Sequence, residues 1–213
     1  MKKARIQGPL FPRLRGAAWL LLAALLLTGC SGDGPWRLKD ISGLMPRLAF
    51  TMTSHTGETV HGSDFRGKVT LVYFGFTHCP DVCPATLATV RQALDRLDVG
   101  ADRVRVLFVT VDPARDTREV LRSYVNAFGP RFVGLRGSED RLEALAKRYR
   151  VAYGHGEPDR HGSYDVSHSS GLFVFDRRGY PRLLALPDDE APALAHDLRH
   201  LLESGGGTEV AGR

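Results

Sequence analysis

The sequence predicts an α/β fold in which helices flank a central mixed β-sheet. Two apolar runs, Val69–Phe76 and Val104–Val111, are rich in β-branched and aromatic residues, which is typical of strands buried on both faces. Each run is followed by a segment with the apolar spacing of a helix, and a hairpin and a last helix come later in the chain. This alternation favours a layered α/β domain.

The helices after the two buried runs are predicted from spacing and caps. In the first helix, the apolar residues at helical spacing are Leu87, Val90, Leu94 and Leu97. The second helix is predicted to have Asp116 as its cap, because Asp116 and Glu119 have capping-box spacing, and to end near Phe128. Ser138 is predicted to cap a third helix that ends near Tyr149.

The last part of the domain is predicted to be a hairpin and a helix. Leu172–Asp176 and Pro181–Leu186 flank a turn, and Ala191–Leu202 has helical spacing. The polar, Gly- and His-rich stretch Gly154–Ser170 is too long for a simple connection, so it is predicted to be an insertion before the late β-hairpin. The order of elements is compatible with a thioredoxin-like fold.

The first 29 residues have the form of a lipoprotein signal peptide. A basic start precedes the apolar run Ala17–Leu27, whose 11 residues are short for a membrane span of about 20 residues. The run leads to LLTGC, which resembles a bacterial lipobox, so Cys30 is predicted to be lipidated; otherwise an ordinary signal is cleaved nearby and Cys30 is incidental. We expect a tether over residues 30–41, a domain over 42–203 and a flexible tail over 204–213. The protein would then be exported and anchored to a membrane, facing the periplasm or the cell exterior.

The charge distribution argues against a nucleic-acid-binding protein. The net charge is +5, but residues 1–29 contain five basic residues and no acidic one. The rest of the chain has 24 basic and 24 acidic residues. The excess positive charge therefore belongs to the leader and indicates no nucleic-acid-binding surface.

Cys79 and Cys83, in FTHCPDVCPAT, are placed where the first buried strand gives way to the first helix. Thiolates are stabilised at a helix N-terminus, and a spacing of four residues lets both sulfurs face the same way. Pro84 favours an irregular turn through 79–83, with regular helix from near Pro84. A disulfide here would close too short a loop to stabilise much, and structural zinc needs more ligands. A redox pair or a soft-metal site is therefore favoured, and a structural disulfide is the alternative.

A soft ion such as Cu(I) suits two thiolates and one imidazole. The chain has eight histidines that could complete the set, and spacing alone does not select one. His168 directly precedes a predicted buried strand and is one candidate. The others are His78, beside Cys79; His55 and His61, in an early hairpin-like segment; His155 and His161, in the insertion; and His196 and His200, expected on the exposed face of the last helix.

Three motifs in order resemble the SCO/SenC family of copper proteins over about residues 42–203. They are CPDVC (79–83), VTVDPARDT (109–117) and YDVSHSS (164–170). The resemblance implies a thioredoxin-like fold. It also implies that Cys79, Cys83 and His168 bind copper, as Cu(I) or also as Cu(II). His168 would then occupy the position at which thioredoxin-like folds have a proline that lies against the cysteines. The same resemblance implies that Asp112 acts near the site without binding the metal; a local turn at Asp-Pro is the alternative.

The resemblance also implies a function in the assembly of copper sites, chiefly the dinuclear copper centre of cytochrome c oxidase. The partners would be subunit II of the oxidase as acceptor, a copper donor and a thiol reductant. The alternative is a thiol–disulfide oxidoreductase that acts through Cys79 and Cys83 on exported proteins and has no need of His168. A peroxidase that forms a sulfenic acid is a third hypothesis, which needs one nucleophilic cysteine.

Overall fold

The computed structural model describes residues 36–97 and 100–203. The predicted signal peptide, Cys30, the start of the tether and the tail from residue 204 therefore lie outside the described residues. Among the described helices, none is long and apolar enough to cross a membrane.

A mixed β-sheet forms the centre of the described domain. Its strands are β1 (Lys39–Asp40), β2 (Thr51–Ser54), β3 (Thr59–His61), β4 (Val69–Gly75), β5 (Val104–Thr110), β6 (Phe132–Arg136), β9 (Leu172–Phe175) and β10 (Pro181–Ala185). Their order across the sheet is β1-β10-β9-β4-β5-β6-β2-β3. Strands β4, β5 and β6 run parallel and the outer pairs are antiparallel, which confirms the predicted mixed sheet and its late hairpin.

Helices cover the central sheet. They are α1 (Val82–Asp95), α2 (Arg118–Asn126), α3 (Glu139–Arg148) and α4 (Ala191–Glu203). Helices α1 and α4 pack together, α4 also contacts β4, and α2 packs on β6. All seven residues of β4 are buried, as a central strand covered on both faces requires. The β4–β5 pair therefore lies at the buried centre of the sheet, and the carboxyl end of β4 leads into the cysteine motif.

Two predicted helix starts differ from the structure. Helix α1 begins at Val82, two residues before Pro84; Pro84 fits there because the first-turn N–H groups have no partner within the helix. Asp116 does not cap α2, so that prediction was wrong. The cap is Thr117, whose side chain accepts a hydrogen bond from the backbone N–H of Val120 at 3.3 Å.

The predicted insertion forms a small separate hairpin. Its strands are β7 (Tyr153–His155) and β8 (Val166–His168), which pair antiparallel with Tyr153 opposite His168. The backbone N–H of Ser169 donates to the carbonyl of Ala152 at 2.8 Å, which closes the open end of the hairpin. The insertion thus holds His168 on regular structure, and Leu172 begins β9 four residues later.

Candidate metal centre

The two cysteines lie where β4 passes into α1. Cys79 is half-buried in the connecting turn, and Cys83 is fully buried as the second residue of the helix. The backbone N–H of Cys83 donates to the sulfur of Cys79 at 3.4 Å, so the helix N-terminus supplies one of its unpaired donors to that sulfur. Gly75, the last residue of β4, leaves room for the Cys83 sulfur, which would be 2.9 Å from a Cβ at that position.

His168 reaches the cysteines from the insertion, 85 residues along the chain from Cys83. Its Nε2 lies 3.3 Å from the Sγ of Cys83. Its Nδ1 lies 3.0 Å from the backbone carbonyl of Ser169. A carbonyl oxygen only accepts, so Nδ1 carries the proton and donates, and Nε2 directs its lone pair towards the sulfur. This is the arrangement that a metal-ligating imidazole needs.

Aromatic rings fix the direction of the His168 ring and bury the neighbouring thiol. Tyr73 and Phe76 each meet the His168 ring edge to face, with ring centroids 5.9 and 5.8 Å away. The Tyr73 hydroxyl donates to the sulfur of Cys83 at 3.8 Å. Burial raises the pKa of Cys83 to about 12, although a backbone hydrogen bond at Phe76 acts in the opposite direction. Metal-free Cys83 is therefore a neutral thiol at physiological pH.

The three donor atoms can meet one metal ion. One ligand atom each from Cys79, Cys83 and His168 lies within 4.8 Å of the other two. Bonds of about 2.0–2.3 Å at angles near 120° would separate the donors by roughly 3.5–4 Å. This separation is below the 4.8 Å limit and close to the 3.3 Å between the Cys83 sulfur and the His168 Nε2. Two sulfurs and one imidazole favour a soft ion of low coordination number. Among the described residues, these three form the single such group of three or more potential ligands.

The other histidines lie away from this group. His78 is half-exposed and faces Asp116, with 3.6 Å between Nδ1 and Oδ1. His155 contacts the carbonyl of Val111 through Nε2 at 2.9 Å, and His161 is exposed. His55 lies beyond β2 and accepts a hydrogen bond from the Gly134 N–H at 3.1 Å, and burial lowers the pKa of His55.

The remaining three histidines belong to β3 and α4. His61 ends β3, where its Nδ1 lies 3.0 Å from the Thr51 hydroxyl. His196 and His200 lie on the less buried face of α4, as predicted, and each is half-buried there.

Asp112 is fully buried and holds the insertion. The Tyr164 hydroxyl donates to its Oδ1 at 2.7 Å, and the Arg115 guanidinium pairs with its Oδ2. Arg115 also stacks on the Tyr164 ring and donates to the Tyr164 carbonyl at 3.1 Å. Burial alone would raise the pKa of Asp112, but the hydrogen bonds from Tyr164 and Arg115 outweigh it and lower that pKa. Asp112 thus stays ionised and ties down a tyrosine four residues before His168.

Asp116 holds the cysteine turn. It is fully buried, and its carboxylate accepts hydrogen bonds from the Thr77 N–H at 3.1 Å, the Thr77 hydroxyl at 2.5 Å and the Thr110 hydroxyl at 2.6 Å. Thr77 is two residues before Cys79, so Asp116 positions the start of the cysteine motif. The roles of Thr77, Tyr164 and Arg115 were not predicted from the sequence. Thr77 and Tyr164 could have been found because each lies close in sequence to a candidate ligand, Thr77 to Cys79 and Tyr164 to His168.

The chain matches the family model described as SCO1/SenC over residues 45–203. Two named relatives are similar in sequence. The mitochondrial SCO1 homolog of Homo sapiens is 39% identical over 132 residues, which are 61% of this chain and 44% of that protein. The mitochondrial SCO2 homolog of Bos taurus is 37% identical over 166 residues, which are 77% of this chain and 62% of that protein. The matches thus span about half to two thirds of these relatives' length.

Solved structures share the fold over most of their length. The structure of Bradyrhizobium japonicum ScoI with copper bound has a TM-score of 0.67 and 32% identity and covers 73% of this chain and 98% of that one. The structure of Arabidopsis thaliana ScoI with copper bound has a TM-score of 0.68 and 30% identity and covers 74% and 98%. These similarities confirm the thioredoxin-like fold that the order of elements predicted.

Proposed function

The chain belongs to the SCO1/SenC family, and on that basis we propose that it binds copper for the assembly of cytochrome c oxidase. We assign Cys79, Cys83 and His168 as the ligands. The observation that carries this assignment is the approach of the His168 Nε2 to within 3.3 Å of the Cys83 sulfur, with the Nδ1 proton already engaged. Similar structures that are described as having copper bound support the choice of metal.

The unequal burial of the ligands suggests how copper is handed over. Cys79 and His168 are half-buried, whereas Cys83 is fully buried. Thiolates or imidazoles of a docked acceptor would replace Cys79 and His168 first, and Cys83 would release the ion last. Its raised pKa favours return of a proton to the Cys83 sulfur as copper leaves. Ligand exchange of this kind changes neither the oxidation state of Cu(I) nor that of the thiols.

The sequence outside the described residues supports a membrane tether. We propose that residues 1–29 are removed as a signal peptide and that Cys30 carries lipid. Residues 30–41 would then tether the domain 42–203 to the membrane on the exported side, and residues 204–213 would form a free tail. The acceptor would be subunit II of cytochrome c oxidase, and a copper donor and a thiol reductant would load the site. Cu(II) could also bind, since imidazole suits it.

A thiol–disulfide oxidoreductase is the second candidate, because the paired thiols include one that solvent reaches. Cys79 is half-buried and would attack a disulfide of an exported protein, and Cys83 would resolve the mixed disulfide. The two thiols would be oxidised to one disulfide while the substrate disulfide is reduced to two thiols. In this role His168 has no direct task, which separates the two candidates.

The deciding experiment is a Cu(I) titration against a competing chelator. A reduced, anaerobic fragment that begins at Gly32 should hold one copper tightly, and Cys79→Ser, Cys83→Ser and His168→Ala should each abolish that tight binding. His161→Ala is the matched control, because this exposed histidine lies in the same insertion. If the parent holds no copper tightly, or if His168→Ala holds it as well as the parent, the ligand assignment is wrong. Disulfide reduction that survives in His168→Ala would then support the second candidate.

A further inference from the structure

Two imidazoles lie side by side on α4, apart from the three proposed copper ligands. His196 and His200 are four residues apart, so they face the same side of the helix. Their ring centroids are 4.8 Å apart, and the ring planes are inclined by 61°. Both side chains are half-buried and remain reachable by water. Two histidines at this spacing on one helix face are the arrangement with which helices bind zinc.

A buried carboxylate fixes the tautomer of His196. Asp197 is fully buried, and its oxygens accept hydrogen bonds from the backbone N–H groups of Arg37 at 3.0 Å and Leu38 at 2.8 Å. The remaining partner is the Nδ1 of His196, 2.8 Å from Oδ1. Because an ionised carboxylate only accepts, Nδ1 donates its proton and Nε2 keeps its lone pair. A carboxylate behind an imidazole is the partner that most metal-ligating histidines have.

The spacing of the rings suits a shared ion. A metal about 2.0–2.1 Å from each nitrogen lies roughly 3.2 Å from each ring centroid, and angles of about 90–110° then separate the centroids by roughly 4.5–5.2 Å. The observed 4.8 Å lies within this interval. The ring of Trp36 meets His200 edge to face at 6.1 Å, which restrains the second imidazole.

We propose that His196 and His200 form a second metal site, which binds a divalent transition-metal ion such as Cu²⁺ or Zn²⁺. Imidazole nitrogens suit both ions, and Cu²⁺ binds more tightly in the general order of divalent metals. Among the described residues, His196 and His200 do not belong to a preformed group of three ligands. Water molecules therefore complete the coordination of the ion, and the bound ion exchanges readily with ions in solution. The site is independent of the thiols, because it binds a divalent ion through imidazole nitrogens and water.

The test uses Cu²⁺ in a background that lacks the two thiols. The full chain carrying Cys79→Ser and Cys83→Ser is purified in detergent and titrated with Cu²⁺ against a chromophoric chelator. Paramagnetic resonance of the bound ion counts its nitrogen ligands. The same background is prepared with His200→Ala, with His196→Ala, and with His161→Ala as the control. Circular dichroism melts establish that each variant is folded.

We expect one Cu²⁺ per chain with two coupled nitrogens, and at least tenfold weaker binding with one nitrogen after His200→Ala. His161→Ala should bind as the background does. If His196→Ala fails to fold because Asp197 loses a partner, His200→Ala carries the test, since no hydrogen bond of Asp197 involves His200. Equal Cu²⁺ affinity with and without His200, or no binding in the background, overturns this site. Neither result bears on Cu(I) binding by Cys79, Cys83 and His168, which is measured separately.

Discussion

The burial of Cys83 makes its protonation a measurable property of the metal-free protein. Replacing Cys79 by serine in the fragment from Gly32 leaves Cys83 as the single thiol. Burial raises the pKa of Cys83 to about 12, and neighbouring Cys79 contributes less to the rise. Since the main cause remains in Cys79→Ser, we expect its thiol to titrate well above the ordinary value of about 8.5.

The raised pKa of Cys83 should make copper affinity depend on pH. The metal binds the thiolate, so at pH 7 the bound state must lose a proton that the free state holds. A pKa near 12 leaves a thiolate fraction of about 10⁻⁵ at pH 7, which costs roughly 7 kcal/mol at 1.36 kcal/mol per unit. Copper affinity should therefore rise about tenfold per pH unit through Cys83 alone, and the rise should continue past pH 9. A thiol of ordinary pKa would contribute almost nothing there.

Two measurements check this prediction. The Cβ carbon shift of isotopically labelled cysteine in Cys79→Ser reports thiolate formation directly as pH is raised. Calorimetry of Cu(I) binding to the parent, in buffers with different ionisation enthalpies at pH 9.5, reports the protons released. We expect a midpoint above pH 10.5 and about one proton released per copper. A midpoint below pH 9.5, or release of about 0.2 proton or fewer, would refute the argument that burial controls this thiol, because two thiols of ordinary pKa would release roughly that much.

Three substitutions test the surroundings of the ligands, each by thermal melting and Cu(I) competition. Tyr164→Phe leaves buried Asp112 without one donor, so we expect the free energy of unfolding to fall by about 1–3 kcal/mol and copper binding to weaken. Unchanged binding would show that this contact does not position the β7–β8 hairpin, which carries His168. Gly75→Ala places a Cβ 2.9 Å from the Cys83 sulfur, so a loss of about 1–3 kcal/mol should accompany weaker binding, and a variant equal to the parent would contradict the packing. Thr117→Ala removes a helix cap worth about 1 kcal/mol and should leave copper affinity unchanged; a change in affinity would mean that the cap also supports the site.

The fold was predictable wherever burial imposes a pattern. Strands β4 and β5 are continuous apolar runs because the sheet is covered on both faces, and both were predicted to within one residue at each end. Strand β6 was missed. Its sequence Phe132–Arg136 (FVGLR) is short and contains Gly134, where an added Cβ would lie 3.3 Å from the Leu121 side chain of α2. A close helix–strand approach of this kind is a tertiary property that local propensity does not encode.

The candidate metal site was predictable only in part. The spacing of Cys79 and Cys83 identified a pair that faces one way, because four residues make about one helical turn. Selecting His168 from eight histidines required the resemblance to a family, since the pairing of β7 with β8 decides which imidazole reaches the sulfurs. Asp116 was misassigned because the capping-box spacing to Glu119 does not show that its carboxylate is engaged by Thr77 and Thr110 instead, which leaves the cap to Thr117.

The motif VTVDPARDT contacts both segments that carry the proposed ligands and supplies none of these ligands itself. Asp116 accepts two hydrogen bonds from Thr77, which precedes the cysteines, and Asp112 accepts one from Tyr164, which precedes His168. Both carboxylates stand on the single loop that leaves β5, so that loop fixes the distance between two segments far apart in sequence. A site preorganised in this way loses less entropy when an ion arrives, because the donors are already within bonding range of one position. Buried charges in this loop are costly unless every partner is present, which explains why two aspartates four residues apart are each surrounded by specific donors.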